Sequence, residues 1–392
     1  MKTKRSFLKT ILLTLFATTS LLTARANDTD TIRFTWEASE GESKIFFLKV
    51  PKDSSYIVDW GNDSIETWIG TGSASTDIQG VRSPLYSAGT YTVTVTGSKT
   101  VFLEFQYNYH PIKSLNLYNC TTLKYLLCFG NELTSLDVSG CTALESLECH
   151  DNKLTYLNVS GCTALRQMYC YNNNLTSLDV STCDTLAYLQ CSHNQLNRLN
   201  INKNMYVNCN NNQLLLSELY DISLLVISQS HKVFGSQYLA SRQIVTGDTI
   251  DFSTQAAFGN PDTATVFTIE KDSLPALLNV DYTINNGVIT FHKAGDYTVS
   301  MTNEAIISHP SIPAEAITAV NVSGVGITEN TLPEIRVYPN PTKDKLRIEN
   351  GKLRMEKIEV YDILGKVQNA ECRMQNFGSF AYGKANKMKN ER

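Results

Sequence analysis

The chain has 392 residues, 42% hydrophobic and 18% charged, with ten cysteines and a formal net charge of −4. An acidic balance argues against a nucleic-acid partner, whose affinity comes mainly from basic contacts to phosphate. Beyond the first residues no stretch approaches the roughly 20 apolar residues that a membrane helix needs, so no transmembrane helix is expected.

Residues 1–26 combine Lys2, Lys4 and Arg5 with an apolar run from Phe7 to Leu22 and close on Ala24-Arg-Ala26. A charged start, an apolar middle and an A-x-A end read as a secretory signal peptide cleaved after Ala26. Its removal takes away five cations and no acid, so the mature chain is more acidic still.

Residues 27–100 read as strands: Ile32–Trp36, Tyr56–Trp60 and the alternating Thr90–Val95. The segments Val58–Asp63 and Tyr86–Val95 resemble a shortened polycystic-kidney-disease (PKD)-type β-sandwich. Asp59, Asn62 and Asp63 read as turn formers rather than as metal ligands.

The most informative segment is 101–219. Leu123 to Leu133 reads L-x-x-L-x-C-x-x-N-x-L, and the pattern returns at Leu144, Leu165 and Leu186, 21 residues apart each time, with a shortened turn at Val207. This is the leucine-rich-repeat signature, and repeats of that length stack into a solenoid with one short parallel strand per turn. Leu126, Leu147, Met168, Leu189 and Val207 fall in one inward column. Cys128, Cys149, Cys170, Cys191 and Cys209 fall in a second, as buried thiols acting as small apolar fillers. A further column is Cys120, Cys141, Cys162 and Cys183, while Cys372 stands outside the pattern. No C-x-x-C pair occurs, and stacked strands hold Cβ atoms farther apart than a disulfide wants, so zinc and disulfides are disfavoured. Asn131, Asn152, Asn173, Asn194 and Asn212 mark the bend, where an amide can satisfy backbone groups left unpaired.

Residues that vary between turns should form the outward, concave face. They are Tyr125, Phe129, Glu148, His150, Tyr169, Tyr171, Tyr188, His193 and Tyr206, with Gln167 and Gln190 beside them. Tyrosine joins a large apolar body to a polar tip, which suits recognition of a protein or a glycan.

Residues 220–325 read as a second β-sandwich, with an Asn-Gly hairpin inside Thr283–Phe291 and an alternating strand over Ala294–Thr302. The two flanking regions are expected to cover the open ends of the solenoid. Residues 326–334 read as a linker to a C-terminal domain over 335–392. That domain carries Tyr338-Pro339-Asn340-Pro341, then Leu346-Arg-Ile348, then Ile358-Glu-Val-Tyr361-Asp362-Ile-Leu364-Gly365. These motifs closely resemble the sorting domain of the type IX (Por) secretion system of Bacteroidetes. The resemblance implies that the type IX machinery is a partner and that the chain crosses the periplasm to the cell surface or medium. From Asn369 onward no strand alternation is evident.

No nucleophile elbow, H-E-x-x-H helix or phosphate loop occurs, so no enzyme activity, cofactor or metal is expected. The fold class is mainly β: a leucine-rich-repeat solenoid flanked by sandwiches, with a small β sorting domain. The expected function is binding of an extracellular protein or glycan, in the manner of an adhesin or host-interaction protein. A structural or accessory envelope role without a dedicated ligand is the alternative.

Overall fold

The computed structural model describes residues 30–71, 78–105, 111–226, 228–259 and 262–324, and the backbone of six short strands between 336 and 382. The signal peptide expected over 1–26 and the linker expected over 326–334 lie outside the described residues. The chain divides into two compact units, Met1–Gly324 and Val325–Arg392. The fold is mainly β.

In the first unit, β1 (Thr31–Ala38), β2 (Ile45–Lys49), β3 (Ser55–Asp59), β4 (Ile65–Ile69), β5 (Gln79–Arg82) and β6 (Gly89–Thr96) precede the repeats. They are followed by β7 (Phe102–Glu104) and β8 (Ile112–Tyr118). One sheet runs β4-β3-β6-β1-β8. Alternation sorts its faces: Ile32, Phe34, Trp36, Val93 and Val95 are buried, while the threonines of β6 turn outward. The opposing β2 and β5 do not form a closed second layer. They pair with each other, and β2 pairs with β7, which runs parallel to the first repeat strand. An open solenoid end would expose unpaired N–H and C=O groups, and β2 covers them. Phe34 packs on Phe46 at 5.1 Å and on Phe105 at 4.9 Å between ring centres, joining the two sheets.

The repeats supply β9 (Tyr125–Leu127), β10 (Ser135–Asp137), β11 (Ser146–Glu148), β12 (Tyr156–Asn158) and β13 (Gln167–Tyr169). They continue with β14 (Ser177–Asp179), β15 (Tyr188–Gln190), β16 (Arg198–Asn200) and β17 (Tyr206–Asn208). Odd-numbered strands form one continuous parallel front, and even-numbered ones pair behind it as β10-β12 and β14-β16. Leu126, Leu147, Met168, Leu189 and Val207 are in register and fully buried. The nine repeat cysteines are buried free thiols.

Where the chain leaves each front strand, one residue takes a left-handed backbone: Gly130, Asp151, Asn172, His193 and Asn211, with φ of 64, 54, 52, 54 and 52°. Glycine, asparagine, aspartate and histidine are the residue types that tolerate this region best. The asparagine that follows stitches neighbouring turns. The Oδ1 of Asn173 accepts from the Leu154 amide at 2.9 Å, and its Nδ2 donates to the carbonyls of Cys149, Cys170 and Tyr171 at 3.0, 3.1 and 3.2 Å. Asn173→Ala is expected to cost about 3–5 kcal/mol, because buried partners left unsatisfied cost roughly 1–3 kcal/mol each. Urea unfolding measures it, and a loss under about 1 kcal/mol would show that water replaces the amide.

The sheet runs past residue 219, the boundary expected from the sequence, to β18 (Lys232–Val233). Phe234 follows in the cysteine position, since the Cys209 amide donates to Val233 as each repeat cysteine's amide does to the next turn. Gln237 then takes the asparagine's place. Its Nε2 donates to the carbonyls of Cys209 and Phe234 at 3.0 and 2.7 Å, and its Oε1 accepts from Leu214. Helix α1 (Leu216–Leu225) covers this end, and the Lys232 ammonium donates to the Ser223 carbonyl in its last turn, at 2.8 Å. Ser236–Tyr238 passes directly into the next sheet by pairing with Glu315–Ser323, which in turn pairs with Gly295–Thr302. The expected hairpin joins Tyr282–Asn285 to Val288–Phe291 through Asn286 and Gly287, both at positive φ. A Cβ on Gly287 would stand 2.6 Å from the Phe252 carbonyl oxygen, so only glycine fits there.

In the second unit, Arg336–Pro339 pairs with Leu346–Glu349, and Val360–Tyr361 pairs with Val367–Gln368 across the segment holding Asp362, Leu364 and Gly365. No strand alternation is evident from Asn369 onward, and here the structure differs. Cys372–Gln375 and Ser379–Tyr382 pair with each other, and the latter also pairs with Leu346–Glu349. Strands of four residues carry too little alternation to read, and their pairing partner decides them.

Candidate functional site: the concave sheet face

In every front strand the middle residue points inward and its two neighbours outward, which is the period-two rule applied to a three-residue strand. Stacking turns in register therefore lines outward residues into rows. The row at the strand start holds Phe102, Tyr125, Ser146, Gln167, Tyr188 and Tyr206. The row at the strand end holds Glu104, Leu127, Glu148, Tyr169, Gln190 and Asn208. A third row, past the cysteines, holds Phe129, His150 and Tyr171.

The third row is a continuous ring stack. Phe129 and His150 lie 4.7 Å apart and 11° from parallel, and His150 and Tyr171 lie 4.3 Å apart and 9° from parallel. Tyr188 and Tyr206 stack likewise at 4.4 Å and 5°, with Tyr169 tilted against Tyr188 at 5.4 Å. His231 meets Tyr206 edge-on. The strand spacing of about 4.8 Å falls in the range of aromatic contact, so the backbone sets the stack. His150 is stacked on both faces and its neighbours on one, so much of what the stacked rings offer the surface is edges and hydroxyls.

Polar contacts fix the rings. The Nδ1 of His150 meets the Asp151 carboxylate at 2.7 Å, and that carboxylate also accepts from the Asn172 amide at 2.7 Å. Gln190 donates from Nε2 to the Tyr188 hydroxyl, and the Tyr125 hydroxyl donates to Glu145 at 3.2 Å. Burial raises the hydroxyl pKa of Tyr169, Tyr171 and Tyr206 above the usual tyrosine value. These hydroxyls are therefore protonated donors at neutral pH.

The structure thus brings Tyr125, Phe129, Glu148, His150, Tyr169, Tyr171, Tyr188 and Tyr206 onto one face. His193 does not join them. It occupies the left-handed turn position, exposed, with Nε2 2.9 Å from the Asn211 amide. One residue of offset from Ser192, which holds the third-row place, moves it to the rim.

Sequence reasoning missed the beginning of the face. Phe47 of β2 lies opposite Glu104, so the N-terminal strands continue the same surface. The signal was present in Phe102-Leu-Glu-Phe105, which repeats the inward-outward frame with phenylalanine in place of cysteine. Burial, and next the nearby Glu148, raises the carboxyl pKa of Glu104. Elsewhere Asp59 accepts from the Gly61 amide and Asn62 from the Ser64 amide, so both act in turns. Among the described residues no three His, Cys, Asp or Glu side chains are grouped to hold a metal ion. No described helix is long and apolar enough to cross a membrane.

Comparison with known proteins gives one family match. Residues 336–378 match the secretion system C-terminal sorting domain. Among solved structures, an internalin-like protein of Listeria monocytogenes is similar at 15% identity and a TM-score of 0.27. That similarity covers 50% of this chain and 62% of that one, so less than two thirds of its length is spanned. The functional domain of InlJ from Listeria monocytogenes, which includes a cysteine ladder, is similar at 16% identity and a TM-score of 0.17. It covers 52% of this chain and 72% of that one. At such scores neither likeness carries weight. No curated protein matches significantly. The sorting domain sends the chain to the type IX machinery, and the protein is secreted or held at the cell surface.

Proposed function

We propose that this exported protein is a non-catalytic binding protein that recognises an extracellular protein or glycan through the concave sheet face. The observation that carries this reading is the convergence of two stacked aromatic rows on one surface. Tyrosines already held by stacking lose little conformational freedom when a ligand arrives, so their contact area converts efficiently into affinity. Where the rings stack on one another, hydrogen bonds from hydroxyls and packing of ring edges favour a protein surface over a sugar ring. The same reading takes the source as a member of the Bacteroidetes and the N-terminal strands as related to a PKD-type sandwich whose second sheet is shared with the repeats.

The test is an array of host extracellular proteins and glycans probed with the parent and with Tyr171→Ala and Tyr188→Ala. Central aromatic anchors contribute about 2 kcal/mol or more, roughly a thirtyfold loss of affinity each. The melting temperature is expected to fall by only a few degrees. Binding that survives both substitutions overturns the assignment of the face. A parent that binds nothing while its deletion weakens the envelope favours a structural role instead.

A further inference from the structure

One row of the concave face alternates apolar and acidic residues across five neighbouring strands: Phe47, Glu104, Leu127, Glu148 and Tyr169. All five are partly exposed. The two glutamates flank Leu127 from adjacent strands, so their backbones stand about 10 Å apart, two strand spacings. Neither makes an ion pair with any described residue. Nearby, Lys124 holds Glu145 at 2.7 Å, the Asp151 carboxylate meets the His150 ring, and Lys49 of β2 lies on the same face opposite Phe102. The row therefore presents two carboxylates that have no ion-pair partner among the described residues, set between apolar and aromatic side chains.

Two further features bear on this row. A Cβ at Gly80 would stand 3.1 Å from the Phe47 Cε1, so the glycine gives the Phe47 ring room over β5. The Glu104 carboxyl is also raised in pKa by burial and by Glu148, as expected where like charges approach without a cation between them.

Taken with the concave-face reading on which it rests, the geometry points to a lysine or arginine side chain, carried by an extended segment of an extracellular protein, as the group that docks between Glu104 and Glu148. Its aliphatic stem lies on Leu127 and its charged head reaches the carboxylates, the arrangement in which such side chains bury carbon while keeping charge satisfied. Arginine adds a planar fork of donors that matches a carboxylate. Opposite charge across an interface fixes register and speeds encounter, so this row would set which segment of the partner is chosen.

The experiment uses the full exported chain and a fluorescent peptide of four Arg-Gly repeats. A second peptide replaces each arginine by citrulline, which keeps shape and loses charge. Parent protein is expected to bind the arginine peptide at least tenfold more tightly than the citrulline one. The double variant Glu104→Gln with Glu148→Gln is expected to lose at least tenfold toward the arginine peptide. A control variant, Glu218→Gln with Asp221→Asn on helix α1, is expected to bind as the parent does. Melting of the glutamate variant should match or exceed the parent's, because a repulsion is removed. Equal binding of both peptides, parent-like binding by the glutamate variant, no binding at all, or displacement of the peptide by calcium at millimolar concentration would each overturn the proposal. If Tyr188→Ala abolishes binding of an extracellular partner while the glutamate variant binds it normally, the concave face stands and the cation reading alone fails.

Discussion

A chain starting at Val101, stripped of the N-terminal strands, is expected not to yield a folded solenoid. Leu103, 0% exposed, lies opposite Leu48 of β2; Phe105, 2% exposed, packs on Phe34 and Phe46; and Leu115 and Leu117 of β8 lie against β1. Returning four such side chains to water costs roughly 1.5–3 kcal/mol each. The sum reaches the about 5–15 kcal/mol by which a whole domain is stable. The truncated chain would also expose the hydrogen-bonding edge of β7 that β2 now covers, a template for aggregation. Gel filtration and circular dichroism decide the matter. The expected outcome is aggregate or a melting temperature lower by more than about 20 °C, reading several kcal/mol through the usual few degrees per kcal/mol. A monomer with a parent-like cooperative melt would mean that the repeats close themselves and the N-terminal layer is a separate domain.

The second large effect is alkaline unfolding between about pH 9 and 11. Burial pushes the Cys128, Cys170 and Cys209 thiols up to about 12, and those of Cys120 and Cys162 to about 12, with Cys183 at about 11. Cys141, Cys149 and Cys191 are raised as well, again by burial. In the unfolded chain a thiol titrates near ~8.5. The folded state therefore keeps protons that the unfolded state surrenders, and stability falls as pH rises. It is fully present below the unfolded value and lost progressively toward the folded one. Each thiol contributes about 1.4 kcal/mol per pH unit in that window. Nine acting together remove about 10 kcal/mol or more within one unit, so unfolding should be cooperative and steep. Circular dichroism followed against pH, alongside thiolate absorbance, measures both events. Thiolate appearing well before the loss of structure would show that the ladder is open to solvent. The same burial predicts thiols inert to Ellman's reagent at neutral pH until denaturant is added, since the thiolate is the reactive form.

What was legible in the sequence was whatever the repeat imposes. Leu126, Cys128 and Asn131 each meet the same residue type one turn away, so their roles recur with the period and can be read from one line of text. The outward rows follow from the same alternation, which is why the period alone places Tyr169, Tyr171, Tyr188 and Tyr206 on one face. The Asn286-Gly287 hairpin and the strands around Tyr338 were equally local, set by turn chemistry and short alternation.

The tertiary structure alone decided the ends and the joins. Phe105 and Phe234 stand in the cysteine column and Gln237 in the asparagine column, each reached by a connection of irregular length that breaks the period. Their places depend on which strand pairs with which, a long-range choice made by burial rather than by local propensity. The pairing of β2 with β7 made one surface of two segments that read as separate domains, and so brought Phe47 and Glu104 beside Leu127. Repetition writes a structure into the sequence because every turn answers to an identical neighbour. A cap has no such neighbour, and only the folded core shows what fills its place.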